Sequence, residues 1–366
     1  MTVDGQLRQI RTEEEVSRRI EEIRRRPRRF RDERVTMAHG AGGKASRSLV
    51  EGLVVPLLAN PALSALGDAA ELTVAGAKLA FTTDAFVVSP LTFPGGGIGD
   101  LAVNGTVNDL AVSGARPLAL ALAMILEEGL AADVLEAQVR AVAEAAAAAG
   151  VVVAAGDTKV VERGRCDGMY LTTTGVGLAR PDAELAPARV TPGDRVLVSG
   201  TVGDHGVAIM LARGGLELEA EVRSDTRSLW PVVAGLLDAC GPGVRCLRDA
   251  TRGGVATVLN EIAVAAEVGV VVDESRLPVR PEVTGACEIL GIDPLYVANE
   301  GKLIAFVAPE AADAALAAMR ATAAGADAAV IGEVRAEPPG RVLGRTTFGG
   351  HRIIDMLVGD PLPRIC

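Results

Sequence analysis

Four aspartates occupy positions from which a hard cation could be held. Asp84 closes Thr82-Thr83-Asp84, and Asp109 ends Asn104-Gly105-Thr106-Val107-Asn108-Asp109. Asp157 lies in Ala155-Gly156-Asp157-Thr158-Lys159, and Asp249 opens Asp249-Ala250-Thr251-Arg252-Gly253-Gly254. Each reads as a strand end or tight turn, where a lone aspartate is as readily a turn former or helix cap. Carboxylates spread over several loops, however, are what Mg²⁺ bridging a triphosphate requires, because that ion takes near-octahedral oxygen ligands and shares its shell with substrate phosphates.

The basic residues carry a second signal. Of the 37 lysines and arginines only Lys44, Lys78, Lys159 and Lys302 are lysine. Arginine does not replace lysine where a compact point charge or a tunable proton donor is needed. Lys44, Lys159 and Lys302 fall in glycine- and acid-rich motifs, and Lys159 follows Asp157 by two residues. Glu300 of Asn299-Glu300-Gly301-Lys302 becomes a candidate proton acceptor if the fold brings it to Lys159. His39 opens the glycine loop Gly40-Ala41-Gly42-Gly43 and could touch phosphate, whereas His205 reads as a helix-start or packing residue. No pair of histidines has metal-ligand spacing.

The standard nucleotide fingerprints fail. Gly40 to Ala45 misses the P-loop spacing, and Gly95-Gly96-Gly97-Ile98-Gly99-Asp100 misses the dinucleotide pattern. What remains is a set of glycine turns whose backbone N–H groups can approach phosphate oxygens.

These residues need a scaffold of alternating strands and helices. Apolar runs predict strands over 79–88, 118–125, 151–155, 169–176, 195–198, 269–272, 303–307 and 328–331. Helical patterns fall over 98–113, 131–149, 205–213, 228–239, 254–267, 281–290 and 309–320, bounded by Gly, Pro and Asp. The alternation implies α/β mixed layers. Polar joints near 180–194 divide the 366 residues into a charged extension (1–34), a first domain (35–182), a second α/β domain (183–340) and a mobile tail (341–366).

Composition narrows the class. With 49% hydrophobic but only 2% aromatic residues, the core must be built from Ala, Val, Leu and Ile. The net charge is −10, and residues 1–34 hold 11 Arg against 8 acids, so the body beyond them is more acidic still. An acidic body argues against nucleic acid as a partner; the Arg24–Arg29 run reads as part of a solvated helix or an extension over about 13–26. No run is long and apolar enough for a membrane span, and no secretory leader is evident, so a cytoplasmic setting is expected. The 5 cysteines have no C-x-x-C spacing and form neither a disulfide framework nor a zinc knuckle. Cys166, Cys240, Cys246 and Cys287 read as small core residues.

Cys366 differs, because it ends the chain in Pro361-Leu362-Pro363-Arg364-Ile365-Cys366. The prolines favour an extended chain, and the stretch beyond His351 could reach roughly 50 Å. This suggests a thiol that carries a substrate group through an ATP-dependent reaction. Its own α-carboxylate raises the thiol pKa, with Arg364 as a partial offset, so Cys366 is poorly suited to be a standing thiolate and its loading depends on a partner.

From about Thr36 to Cys366 the chain resembles the HypE family of hydrogenase maturation proteins, in the superfamily shared with aminoimidazole ribonucleotide synthetase and selenophosphate synthetase. The resemblance rests on His39–Gly43, Thr82–Asp84, Phe93–Gly96, Asn104–Ala115, Gly156–Val161, Gly203–Gly206, Arg248–Gly254, Asn299–Lys302 and the closing Pro363-Arg364-Ile365-Cys366. The Arg-rich extension departs from the family pattern. The resemblance implies a two-domain aminoimidazole ribonucleotide synthetase-like fold with a flexible C-terminal tail. It implies a homodimer, with ATP bound by His39, Gly42, Gly43, Lys44, Asn104, Thr106, Asn108, Asp157, Thr158 and Gly253. Mg²⁺ would be held by Asp84, Asp109, Asp157 and Asp249.

The activity implied is dehydration of an S-carbamoyl group on Cys366 to an S-cyanate, with Glu300 and Lys159 as base and orienting cation. A HypF-like carbamoyltransferase would load the group and a HypC-HypD-like scaffold would receive the cyanide for a NiFe hydrogenase. Two other readings remain open from the sequence. One is a superfamily synthetase acting on a free small molecule, although no cysteine stands near the first glycine loop as a selenophosphate synthetase would want. The other is a non-catalytic ATP-binding scaffold.

Overall fold

A computed structural model describes residues 30–214, 221–359, 362 and 364–366. The expected helix over 13–26, and the two tail prolines, lie outside the described residues.

The strands, in chain order, are β1 (Ala70–Val74), β2 (Ala77–Phe86), β3 (Thr92–Phe93), β4 (Gly96–Gly97), β5 (Ala115–Glu127), β6 (Val152–Val161) and β7 (Met169–Ala179). They continue with β8 (Arg195–Val198), β9 (Val244–Asp249), β10 (Gly269–Asp273), β11 (Leu303–Val307), β12 (Ala329–Arg335), β13 (Arg341–Arg345) and β14 (His351–Ile354). The first sheet runs β1-β2-β7-β5-β6. Only β5 and β6 pair in parallel there, because the helix Ala132–Ala149 carries the chain back across the sheet between them. One face of this sheet is covered: Leu120, Leu122, Leu171 and Phe86 point into the core, along with residues of the helix Ile98–Val112. The other face is open, and Phe81, Ile125 and Leu178 are exposed on it.

The second sheet runs β14-β13-β10-β12-β8-β11-β9, with helices on both faces. Val196, Val198, Ile304 and Phe306 share one core cluster with the helix Gly254–Ala265. Leu197, Leu303, Ala305 and Val307 share another with the helices Trp230–Cys240 and Ala312–Arg320. Double-sided burial is why β8 and β11 are continuous apolar runs rather than alternating ones.

The helix Ile98–Val112 joins the two halves, and all its residues but Asp100 and Asp109 are buried. Asn108 donates its amide to the carbonyls of Arg227 and Glu300, and accepts from the Leu229 N–H.

The tail boundary at 341 is corrected by the fold. β13 pairs in parallel with β10, and β14 returns antiparallel on β13, so the second sheet continues to Ile354. The Gly349-Gly350 step that reads as the start of a loose terminus is a hairpin turn, with Thr346 N–H bonded to Gly350 O at 2.9 Å. β1 and β9, and the helical stretch from Lys44 to Leu58, were also not expected from sequence.

Candidate active site

The acidic site is assembled at the seam between the two sheets. Asp84 lies near the end of β2, opposite Thr173 of β7. Asp109 projects from the joining helix, and Asp249 ends β9 beside Leu303. Asp68, in the loop before β1, completes the group. Asp68, Asp109 and Asp249 can each place an oxygen within 4.8 Å of the others.

Hydroxyls orient the carboxylates. Thr82 Oγ1 lies 2.8 Å from Asp109 Oδ2 and 2.9 Å from the Asp68 carbonyl, and shares its proton between them. Thr106 Oγ1 donates to Asp84 Oδ2 at 2.8 Å. Arg248 pairs with Asp68.

Burial, followed by repulsion among Asp84, Asp249 and Asp68, raises the Asp109 carboxyl well above the ordinary aspartate range. Burial and the charges of Asp68 and Asp84 push Asp249 up to about 8. Arg248 and Arg252 offset the repulsion among so many carboxylates only in part, since the pKa values of Asp84, Asp109 and Asp249 stay raised. The set of hard oxygen donors therefore fits a divalent cation such as Mg²⁺.

A cavity of about 50 Å³ opens beside these carboxylates, lined among others by Asp84, Asp109, Asp249, Arg252, Glu300 and Cys366. The last residue of the chain thus reaches the same small space as the acidic cluster. Glu300 is buried, and burial and then Asp225 and Asp249 raise its carboxyl well above the usual range. A carboxyl so placed can accept a proton near neutral pH. Its loop is fixed by Asp225, which accepts from the N–H groups of Glu300 (3.0 Å) and Gly301 (3.2 Å) and from Lys302 Nζ (3.0 Å). A Cβ on Gly301 would stand 2.0 Å from the Asp225 carbonyl, so only glycine fits. The negative charge at Cys366, then those of Glu300, Asp84 and Asp109, hold Arg252 protonated against desolvation.

The glycine loop lies against Arg252 and the base of the tail. Arg252 Nη1 donates to the Gly40 carbonyl at 3.3 Å, and a Cβ on Gly42 would stand 2.9 Å from Arg252 Cβ. A Cβ on Gly43 would stand 2.4 Å from the Leu357 carbonyl, which accepts from the Lys44 N–H at 2.9 Å. Lys44 Nζ pairs with Asp355 at 2.7 Å. His39 is buried, with Nε2 2.9 Å from Asp32 and Nδ1 2.9 Å from the Thr36 N–H. Gly253 takes a left-handed φ of 71° at the start of the helix Gly254–Ala265.

Other expected site residues fall elsewhere. Asn104 and Asn108 brace the 226–229 segment, Asn104 through Thr226 Oγ1 at 3.2 Å. These contacts satisfy the two amides in their buried positions. Asp157, Thr158 and Lys159 lie on the exposed edge strand β6. Lys159 Nζ pairs with Asp157 at 2.6 Å, not with Glu300, because positions two apart on a strand share a face. Within one chain, Asp157 does not join the other three aspartates; Asp68 takes that place. The Gly67-Asp68-Ala69 turn before an apolar run is the signal by which Asp68 could have been found. Asp225 has no such signal, because its role depends on the distant 300–302 loop.

The chain matches the family models for the N-terminal domain (residues 66–179) and the C-terminal domain (residues 191–344) of AIR synthase related proteins. It is 55% identical to the carbamoyl dehydratase HypE of Rhodobacter capsulatus over 92% of this chain and 99% of that one. It also resembles a crystal structure of a HypE–HypF complex, at TM-score 0.80 and 43% identity, covering 84% of this chain and 99% of that one. A crystal structure of the hydrogenase maturation protein HypE in complex with ATP matches at TM-score 0.76 and 47% identity, covering 91% of this chain and all of that one (100%).

Proposed function

The chain belongs to the carbamoyl dehydratase HypE family of AIR synthase related proteins, and from that premise we propose that it uses ATP to dehydrate a carbamoyl group carried on its own Cys366. The observation that carries this reading is the presence of Cys366 in one small cavity with Glu300, Arg252 and the acidic cluster. A group carried on Cys366 would lie within reach of these side chains.

In the proposed reaction the carboxamide oxygen attacks the γ-phosphorus of ATP and ADP leaves. The amide nitrogen gives up its two protons as the C–O bond breaks. Phosphate departs with the oxygen and one of the protons, the other is released, and S–C≡N remains on Cys366. Phosphorylation is needed because an amide oxygen is otherwise a poor leaving group. Mg²⁺ held by Asp68, Asp84, Asp109 and Asp249 would supply charge neutralisation at the transferring phosphoryl group. Glu300 accepts a proton from the nitrogen, and Arg252 is the cation that this chain itself sets beside Glu300 and Cys366.

Lys159 and Asp157 would act only from a second copy. The open face of the first sheet supports such a homodimer: Val152 of β6 is 61% exposed and Phe81 of β2 is 45% exposed, and the register sets them in one row of that face, an apolar surface of the kind that marks an interaction site. A HypF-like carbamoyltransferase would load Cys366, and a HypC-HypD-like scaffold would take the product. Among the described residues no helix is long and apolar enough to cross a membrane.

The test is intact-mass analysis of carbamoylated protein before and after ATP and Mg²⁺. The expected result is loss of one water confined to the C-terminal peptide. Glu300→Gln should keep the carbamoyl group about 10²–10⁴ times longer, the range for removal of a general base. An unchanged mass in protein that hydrolyses ATP overturns the reading.

A further inference from the structure

Histidine 205 has no part in the proposed chemistry, yet it is fully buried at the start of the helix Asp204–Ala212. Its Nε2 lies 2.6 Å from the carbonyl of Ile365, and its Nδ1 lies 2.8 Å from Ser224 Oγ. A carbonyl only accepts, so Nε2 carries the proton and Nδ1 must receive the serine hydroxyl. Ser224 Oγ is free to donate there because its lone pair takes the Thr226 N–H at 3.2 Å. One neutral tautomer satisfies every partner, and burial, which pushes the imidazole pKa down, favours that neutral form.

The socket is rigid. The Ser224 N–H bonds to the Pro94 carbonyl at 2.7 Å, and the Phe93 ring meets the imidazole edge-on with centroids 5.6 Å apart.

The tail fills this socket with little slack. Leu362 and Ile365 are buried in the same apolar cluster as Val207, Val283 and Val297. The Val87 N–H donates to the Cys366 carbonyl at 3.0 Å and the Ser89 N–H to the Arg364 carbonyl at 3.3 Å, in the manner of a short added strand. Arg213 bridges the same two segments, donating to the carbonyls of Ser89 (2.8 Å) and Arg364 (2.5 Å). Among these contacts His205 grips the residue immediately before the carrier.

We propose that His205, fixed in one tautomer by Ser224, is the positioning residue that seats the tail so that Cys366 lies in the acidic cavity. The inference deepens the function proposed above and rests on it. A carrier must leave its seat to be loaded and return to react, so this grip sets the division of the tail between the two states. Weakening it favours reagents that meet Cys366 outside and disfavours the step that occurs inside.

The experiment uses full-length wild type, Ser224→Ala, His205→Leu and His205→Gln. The Gln amide nitrogen can stand near the position of Nε2 and donate to Ile365, so this variant is the conservative rescue. Two readouts are taken on each: the rate at which iodoacetamide alkylates Cys366, and the rate of ATP-dependent water loss from Cys366 previously carbamoylated with potassium cyanate, which adds across the S–H bond. Ser224→Ala and His205→Leu are expected to alkylate about tenfold faster, the equilibrium shift that loss of one buried hydrogen bond produces, and to lose water more slowly. His205→Gln should stay near wild type in both.

Unchanged alkylation in both Ser224→Ala and His205→Leu, with wild-type melting temperature in at least the serine variant, overturns the proposal. Faster alkylation with unchanged water loss overturns it too, as does a His205→Gln protein no better than His205→Leu. If wild type itself loses no water, the proposed function fails instead, and the alkylation series still decides whether His205 seats the tail.

Discussion

The acidic cluster makes a thermodynamic prediction that needs no substrate. Asp249 titrates from an ordinary 3.8 in the unfolded chain up to about 8 in the fold, through burial first and then the charges of Asp68 and Asp84. Because the folded pKa is the higher one, the fold prefers the protonated carboxyl. The associated stability is complete below about pH 4, declines as pH rises, and is lost once pH passes about 8. A rise of that size corresponds to ~6 kcal/mol at full burial. The side chain keeps some solvent access and shares its repulsion with Asp84 and Asp109, which reduces the penalty to about 2–3 kcal/mol. Asp249→Asn keeps the shape and removes the charge.

In a chelating buffer at pH 8.5 the variant should therefore melt about 5–10 °C above wild type, at the usual 2–4 °C per kcal/mol for a domain of this size. At pH 5, where the wild-type carboxyl is already protonated, the two melting curves should converge. Adding Mg²⁺ at pH 8.5 should raise the wild-type midpoint and leave the variant nearly unmoved. Differential scanning calorimetry across that pH series decides the matter. A variant that melts below wild type at pH 8.5 without divalent ions, or that keeps its full advantage at pH 5, refutes the account of a charge-repelled cluster.

Three further outcomes follow from single contacts. Lys302→Met strands the buried Asp225 carboxylate, whose only close cation is Lys302 Nζ at 3.0 Å among the described residues, and should cost about 3–5 kcal/mol in urea titrations. Gly254→Ala places a Cβ 2.6 Å from the carbonyls of both Leu295 and Val297, at a φ of 59°, so its melting temperature should fall by several degrees; a wild-type midpoint would show that the 295–297 turn yields. Val152→Glu with Val160→Glu puts charge on two exposed positions of β6. Sedimentation should then show monomers of nearly unchanged chain stability, whereas an intact dimer would move the interface away from this strand.

Legibility from sequence tracked how local each feature was. β8 and β11 begin and end where their apolar runs do, Arg195–Val198 and Leu303–Val307, because double-sided burial leaves no polar alternation to confuse the pattern. β13 escaped notice because Arg341, Gly344 and Arg345 dilute a five-residue strand whose partner β10 lies far back in the chain. The scarcity of lysine pointed to real constraints but not to one kind of site. Lys302 braces a buried carboxylate, while Lys159 lies on an open edge beside Asp157. Asp84, Asp109 and Asp249 were recognisable from their motifs, although Asp84 and Asp249 stand in strands and Asp109 on a helix rather than in turns. Their meeting with Asp68 and Arg248 depends on how the two sheets abut, which no spacing encodes.

The chemistry of the cavity also bears on why the tail should move at all. A thiolate at Cys366 would share its surroundings with Asp84, Asp109, Asp249 and Glu300, with Arg252 as the cation at hand. Each carboxylate disfavours a further negative charge there. The seated position is therefore a poor place for the sulfur to act as a nucleophile. A carboxamide on that sulfur is neutral, adds no charge to the cluster, and offers an oxygen to a phosphoryl donor and a nitrogen to Glu300. The same acidic environment thus opposes loading and suits dehydration. In the proposed reaction, attachment to the chain would keep the loaded group at high effective concentration near the cavity without a separate binding site for it. The seat draws on both halves of the molecule, Val87 and Ser89 from the first sheet's side and His205 and Arg213 from the second. Any shift between the two halves would then alter the grip on the tail together with the spacing of the carboxylates.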